Sequence, residues 1–153
     1  RWNALMANHR AVLAAADSVL GRLLRERATE VNWVLPDELR RQARRSPTMA
    51  ANPDQLGTAL LRAEQLVTVP DPLRSELRTL AALADARYAL IPAALVYRRS
   101  AATTADTATA ELSVVLVDVR LGRVGWRTVA RGEGNDPWTA LTRAVKALTP
   151  GLP

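Results

Sequence analysis

The sequence predicts an α/β fold, more closely an α+β two-layer sandwich, in which a mixed sheet ends in an antiparallel C-terminal meander and helices flank the sheet. Three observations support this prediction. Apolar and polar residues alternate on both sides of a turn in residues 111–130, apolar residues recur every three or four positions elsewhere, and proline follows Asn or Asp at three points. These patterns indicate a β-hairpin, amphipathic helices and helix starts, respectively.

The hairpin is predicted over residues 111–119 and 124–130, joined by a turn at 120–123. Valine and threonine suit a pleated surface, and Gly122 can take the positive φ that a short return needs. Apolar residues occupy both faces of the first strand, so we expect it inside the sheet. The preceding strand is predicted over residues 88–98, and Pro92 within it indicates an edge position or a bulge. Alternation over residues 31–35 predicts a further strand of the same sheet.

Helices are predicted where apolar residues recur every three or four positions in the sequence. The first covers residues 3–27, and the second begins at Pro36, where Asp37 and Glu38 suit the positive end of a helix. Three more begin at Asn-Pro or Asp-Pro pairs: Asn52-Pro53, Asp71-Pro72 and Asp136-Pro137, the last with Trp138 on its apolar side. Residues 100–109 are small, polar and aperiodic, and we expect a mobile loop there.

Length and composition indicate one soluble domain over residues 1–153. No cysteine is present, so no disulfide is available, and no apolar run approaches the roughly 20 residues of a membrane span. We therefore expect no transmembrane segment in this chain. The chain begins at Arg1 rather than Met, and we expect it to be a mature or trimmed product.

A cluster of arginines is the main candidate for a binding site. The net charge is +6, and Lys146 is the single lysine among 21 basic residues. Arg40, Arg41, Arg44 and Arg45 crowd the last turns of the second helix, where cations also favour the helix dipole. Paired guanidinium groups bind carboxylates or lipid phosphates, so we hypothesise that these four arginines dock on an acidic protein surface or anionic head groups. An Arg-, Ala-, Leu- and Val-rich composition is typical of GC-rich coding sequences, and this composition explains the net charge without a functional basic surface.

Catalytic and cofactor chemistry find no support in the sequence. His9 is the single histidine, so neither a catalytic triad nor a zinc site has its partners. Gly132-Glu133-Gly134 lacks the Lys-Ser/Thr of a phosphate loop. Asp118, at the end of the central strand, is expected to accept backbone hydrogen bonds across the turn. We therefore predict a non-enzymatic protein with no cofactor and no metal.

The order of elements also carries a resemblance. An alanine-rich helix leads into the strand YALIPAALVYRR, and a later hairpin carries Asp118, Gly122 and Trp126. Over residues 12–148 the chain resembles bacterial envelope α/β domains that include the amino-terminal domain of the Tol propeller protein, the curli-secretion lipoprotein and the penicillin-binding-protein activator lipoproteins. Members usually begin with an apolar strand. Either that strand lies upstream of Arg1, or this sheet lacks it.

Two functions of different class follow. The resemblance implies an accessory module in the periplasm or elsewhere in the envelope, docking on a protein partner in a membrane-associated assembly. The alternative is an arginine-rich nucleic-acid-binding domain that uses residues 40, 41, 44 and 45. Such a surface would interleave aromatic side chains or lysine among the arginines, and no interleaving is present. We therefore favour the envelope module.

Overall fold

The computed structural model describes residues 9–99 and 107–148, apart from the side chains of the first two of these. This part of the chain has an α/β fold with four α-helices and a three-stranded antiparallel sheet. The helices are α1 (His9–Arg27), α2 (Pro36–Arg45), α3 (Leu73–Leu83) and α4 (Pro137–Leu148); the strands are β1 (Tyr88–Arg99), β2 (Ala108–Asp118) and β3 (Arg123–Gly134). Two 3-10 helices cover Pro53–Gln55 and Thr58–Arg62. The strand order is β1-β2-β3, so the predicted meander is confirmed.

The chain divides into two compact units. The first unit comprises residues 1–33, 94–114 and 128–153, and the second comprises residues 34–93 and 115–127. Each of the three strands contributes residues to both units.

In the first unit, α1 and α4 pack together. Alternate residues of β2 are buried over residues 108–114, and all four are small or aliphatic: Ala108, Ala110, Leu112 and Val114. At Gly132 the backbone of α4 comes so close to β3 that an added Cβ would overlap the amide nitrogen of Ala144 and the carbonyl oxygen of Ala140. Glycine at this position therefore permits direct packing of the helix backbone on the strand.

The second unit has its own apolar core. Its buried members come from the second 3-10 helix, the segment before α3, α3 itself and the strands: Leu61, Val69, Leu73, Leu77, Ala93, Val115, Val117 and Val119. The buried apolar positions of β2 are here odd-numbered, whereas those of residues 108–114 are even-numbered. Each face of β2 therefore buries apolar side chains over one part of the strand, which agrees in part with the prediction that both faces are covered.

Local signals at the hairpin turn, at Pro92 and at the start of α4 are confirmed. Gly122 has φ +67°, and its N–H donates to the carbonyl of Asp118 at 2.9 Å, closing the hairpin turn. Pro92 lies in β1, an edge strand of the sheet. At the start of α4, Asp136 accepts the Thr139 N–H at 2.9 Å, so an Asp-Pro pair does begin this helix.

Two predicted elements are wrong. Residues 31–35 form no strand: the N–H of Val31 donates to Ala28 O at 3.3 Å, and the Trp33 indole donates to the same carbonyl at 2.9 Å. These bonds fold the segment back on the end of α1, and neither of the two residues joins the sheet. The helix predicted from Asn52 is instead two short 3-10 helices separated by Gly57. Leu61 in the second of these is nevertheless fully buried in the apolar core of the second unit.

Two strand boundaries and one side-chain placement also differ from the predictions. β2 begins at Ala108, so residues 108 and 109 belong to a strand and not to the expected loop, while residues 100–106 lie outside the described residues. β3 continues past the predicted end at residue 130 to Gly134, and Gly132 and Gly134 pack closely under α4. Trp138 is 53% exposed and does not join the apolar side of α4. Helix α1 is described from residue 9, so its predicted first six residues lie outside the described part.

Candidate partner-binding site

Helix α2 forms because its two ends carry the appropriate residues. Leu35, in extended conformation, precedes Pro36 at the first helical position, and Asp37 and Glu38 follow in the first turn. At the other end the N–H of Ser46 donates to the Ala43 carbonyl at 3.1 Å. Carboxylates at the start and arginines at the end both complement the helix dipole. A helix of only 10 residues also needs packing, and buried Ala43 provides it.

Arg40 pairs with two carboxylates of the second unit. Its Nη1 lies 2.9 Å from Asp37 Oδ1, and its Nη2 lies 2.9 Å from Asp54 Oδ1. Its Nε also donates to both oxygens of Asp54 at 3.0 Å. The hydrogen bond with Asp54 raises the pKa of the Arg40 guanidinium above its ordinary value. The first of the four predicted partner-binding residues therefore joins α2 to the 3-10 helix Pro53–Gln55.

The other three arginines form one exposed face of α2. Arg41, Arg44 and Arg45 are all exposed. Residues three and four apart on a helix are neighbours, so these three share a face. In the described part of the chain, none of the three side chains has a hydrogen bond or ion pair. We call these three residues the α2 arginine face.

An exposed methionine follows this face in the chain. After α2, the N–H of Met49 donates to the Ser46 carbonyl at 3.1 Å, which forms a turn, and Met49 is 71% exposed. Methionine and arginine are both enriched in protein interfaces, whereas lysine is depleted. The sequence analysis did not single out Met49, because exposure of one apolar residue in a loop leaves no periodic signal.

A second group of charges lies on the strands of the first unit. Glu111 on β2 accepts a hydrogen bond from Arg131 Nε on β3 at 3.2 Å, and its other oxygen lies 3.4 Å from Arg98 Nε on β1. The hydrogen bond from Arg131 is the main reason why the pKa of Glu111 lies below its usual range. This group was not predicted from the sequence. Each of the three strands carries at least two charged residues, and the sequence does not show which of them meet.

Asp118 has the role that the sequence predicted. Its Oδ1 accepts the Leu121 N–H at 3.1 Å, and its Oδ2 lies 3.1 Å from Arg87 Nη2. The backbone hydrogen bond, with the Arg87 contact, lowers the pKa of Asp118. These contacts stabilise the hairpin turn. Arg87 also lies over the Tyr88 ring, 5.1 Å from its centroid.

The described residues contain neither a metal site nor a membrane-spanning helix. Within residues 9–99 and 107–148, no group of three or more His, Cys, Asp or Glu side chains is placed to hold a metal ion. No helix in the same residues has the length and apolar character needed to span a membrane.

Comparison with known proteins gives no relative. The chain matches no protein-family model, no curated protein and no solved structure.

Proposed function

We propose that this chain is a non-enzymatic interaction module that docks on an acidic surface of a protein partner through the α2 arginine face. One observation carries the proposal: Arg41, Arg44 and Arg45 are exposed on one helix face and, among the described residues, have no acidic partner. The sequence resemblance to envelope α/β domains supports a partner in a periplasmic or other envelope-associated assembly. Localisation and partner class thus rest on the resemblance, and the docking residues rest on geometry.

The energetics favour a protein partner with clustered carboxylates. Each guanidinium offers five N–H donors in a planar fork, and hydrogen bonds to a carboxylate are stronger than neutral ones. The helix fixes the relative positions of the three Cα atoms, so binding has to order only the side chains and not the backbone. Arg40 does not bind the partner directly, because its guanidinium already pairs with Asp37 and Asp54. It contributes by fixing α2 against the following 3-10 helix.

Charge reversal tests the proposal. The Arg41→Glu/Arg45→Glu variant should lose most association with a partner captured from a solubilised bacterial envelope, because like charges then face each other. The matched control is Arg22→Glu/Arg25→Glu, which makes the same charge change at two exposed arginines of α1. Circular dichroism and thermal unfolding should show that both variants keep the fold.

The outcome separates docking from general charge attraction. Loss of capture in the α2 variant alone supports the proposal. Equal capture by wild-type protein and the α2 variant at low and moderate salt refutes it, and equal loss in both variants shows that net charge is responsible. Parallel binding assays with anionic lipid vesicles and single-stranded DNA test the two other anionic partners. Binding of DNA that depends on residues 41 and 45, without protein capture, would replace the proposal with the nucleic-acid-binding alternative.

A further inference from the structure

We infer that a groove on the first unit binds a phosphate dianion, either free or as the terminal monoester of a small molecule. The groove has a volume of about 380 Å³ and is lined mainly by charged residues from all three strands: Arg98, Arg99, Thr109, Glu111, Arg131 and Glu133. It uses none of the residues of the proposed docking face, so the two proposals stand or fall separately.

Glu111 positions the two arginines that would bind the anion. Its two carboxylate oxygens are shared, one with Arg131 Nε at 3.2 Å and the other with Arg98 Nε at 3.4 Å. The Glu111 side chain is only 22% exposed, whereas those of Arg98 and Arg131 are 67% and 65% exposed. One partly buried carboxylate on the central strand therefore holds an arginine from each neighbouring strand, with both guanidinium groups reaching solvent.

The donors needed for an oxyanion remain available after this pairing. Both contacts to Glu111 use Nε, and within residues 9–99 and 107–148 the Nη1 and Nη2 groups of the two arginines have no other partner. Each arginine thus keeps two –NH₂ groups that no described residue engages. Four such groups from two fixed guanidinium planes suit an anion with three or four acceptor oxygens, and phosphate is the biological group of that shape.

The remaining lining residues refine the chemical class. Arg99 is exposed, has no partner among the described residues and brings a third positive charge. The Thr109 hydroxyl can donate one hydrogen bond or accept one. Glu133 is the second carboxylate of the lining, so three arginines face two glutamates. A formal charge of +1 before binding favours an anion, and the open groove favours a small ligand over a buried cofactor.

The test is an NMR titration of the whole chain with inorganic phosphate, replacing chloride at constant ionic strength. We expect saturable shifts of the amide signals of residues 98, 99, 109 and 131. The Arg98→Gln/Arg131→Gln variant should bind phosphate at least about tenfold more weakly, because two charge-assisted contacts are lost. The matched control is Arg22→Gln/Arg25→Gln, which removes the same charge from two exposed arginines of α1 and should leave the phosphate affinity unchanged. O-phosphoserine in a second titration distinguishes a monoester from the free anion.

Each outcome decides the inference. Saturable binding of inorganic phosphate or O-phosphoserine that is lost only in the β-strand variant supports it. Shifts that do not saturate, or equal weakening in both variants, overturn it, because binding would then follow net charge alone. If the double variant does not fold, Arg99→Gln and Thr109→Val test the same groove without disturbing the Glu111 pairs. Unchanged affinity in both of these variants also overturns the inference.

Discussion

At Gly132, the packing of β3 against α4 leaves no room for a side chain. An added methyl group would overlap the backbone of α4, and backbone atoms cannot move aside as the end of a flexible side chain can. We expect Gly132→Ala to lower the free energy of unfolding by about 1–3 kcal/mol, the usual cost of overpacking a core. Urea unfolding followed by circular dichroism measures this change.

Gly57 provides the matched control for that substitution. A Cβ at Gly57 would meet no atom within 4 Å, and the residue has an ordinary negative φ of −76°. Gly57→Ala should therefore change the stability by no more than about 1 kcal/mol in either direction. Similar losses in the two variants would show that the close approach of β3 and α4 is not what makes residue 132 sensitive.

Tyr97 is a half-buried phenol whose ionisation reports on the first unit. Its hydroxyl donates to the Pro137 carbonyl at 3.2 Å, and burial raises its pKa to about 12. Because the folded pKa lies above the unfolded value of about 10, the neutral phenol's contribution to stability is present below pH 10 and is lost as the pH rises through 12. In a Tyr88→Phe variant, absorbance at 295 nm should give a midpoint near 12. A midpoint near 10 with native circular dichroism would contradict this assignment.

At the scale of elements, one arginine holds the 3-10 helix Thr58–Arg62 and the residues after it. Arg127 on β3 donates from Nη1 to the Leu61 carbonyl at 3.3 Å and from Nη2 to the Leu66 carbonyl at 2.9 Å. We expect Arg127→Met to keep the apolar stem but release both carbonyls. Amides of residues 61–66 should then exchange with solvent about tenfold faster or more, as the segment opens more often.

Arg123 on the same strand is the control for Arg127. Its side chain is exposed and has no hydrogen bond or ion pair with the described residues, so Arg123→Met makes the same chemical change without releasing a carbonyl. Exchange in residues 61–66 should stay at the wild-type rate. If both variants exchange alike, the segment is held by its leucines and not by the guanidinium fork.

These contacts explain which elements the sequence could predict. Helices α2, α3 and α4 can be predicted from the local sequence, because proline at or near the start of each fixes where the helix begins. The two wrong predictions concern segments whose conformation is set by hydrogen bonds that no local pattern shows. Residues 31–35 alternate like a strand, yet the Trp33 indole donates a hydrogen bond to the carbonyl five residues earlier. The 3-10 helix Thr58–Arg62 and the residues after it are held by Arg127, which is more than 60 residues away in the chain.

At the scale of the whole molecule, the candidate sites were predictable only in part. The arginines of α2 are visible because they are close in sequence and lie at a helix end. The pairing of Arg40 with Asp54 could not be predicted, because Asp54 is 14 residues away and its approach depends on how the following segment folds. The group of Arg98, Glu111 and Arg131 was missed for a related reason. A shift of one residue in strand pairing would place these side chains on different faces.

Among the described residues, three carboxylates have pKa values that are lowered in the folded chain, and they contribute to stability against acid. They are Asp71, which accepts hydrogen bonds from Ser75, Glu111, which pairs with Arg131 and Arg98, and Asp118, which accepts from Leu121. A lowered folded pKa means that the unfolded chain binds more protons between the two values. The contribution is therefore fully present above the unfolded pKa of about 4 and is lost as the pH falls through the folded values.

We predict that the Asp71→Asn/Glu111→Gln/Asp118→Asn variant is less stable than the wild type at pH 7, and that the difference shrinks as the pH falls below 4. Urea unfolding at several pH values measures both chains. The control is Glu26→Gln/Glu30→Gln/Glu64→Gln, which removes the same charge at three exposed residues that have no hydrogen bond or ion pair within the described residues. The control should keep the acid dependence of the wild type. A constant difference between wild type and the first variant from pH 7 to pH 2 would show that these carboxylates stabilise the fold through shape alone, because a charge-dependent contribution must disappear once both folded and unfolded forms are protonated.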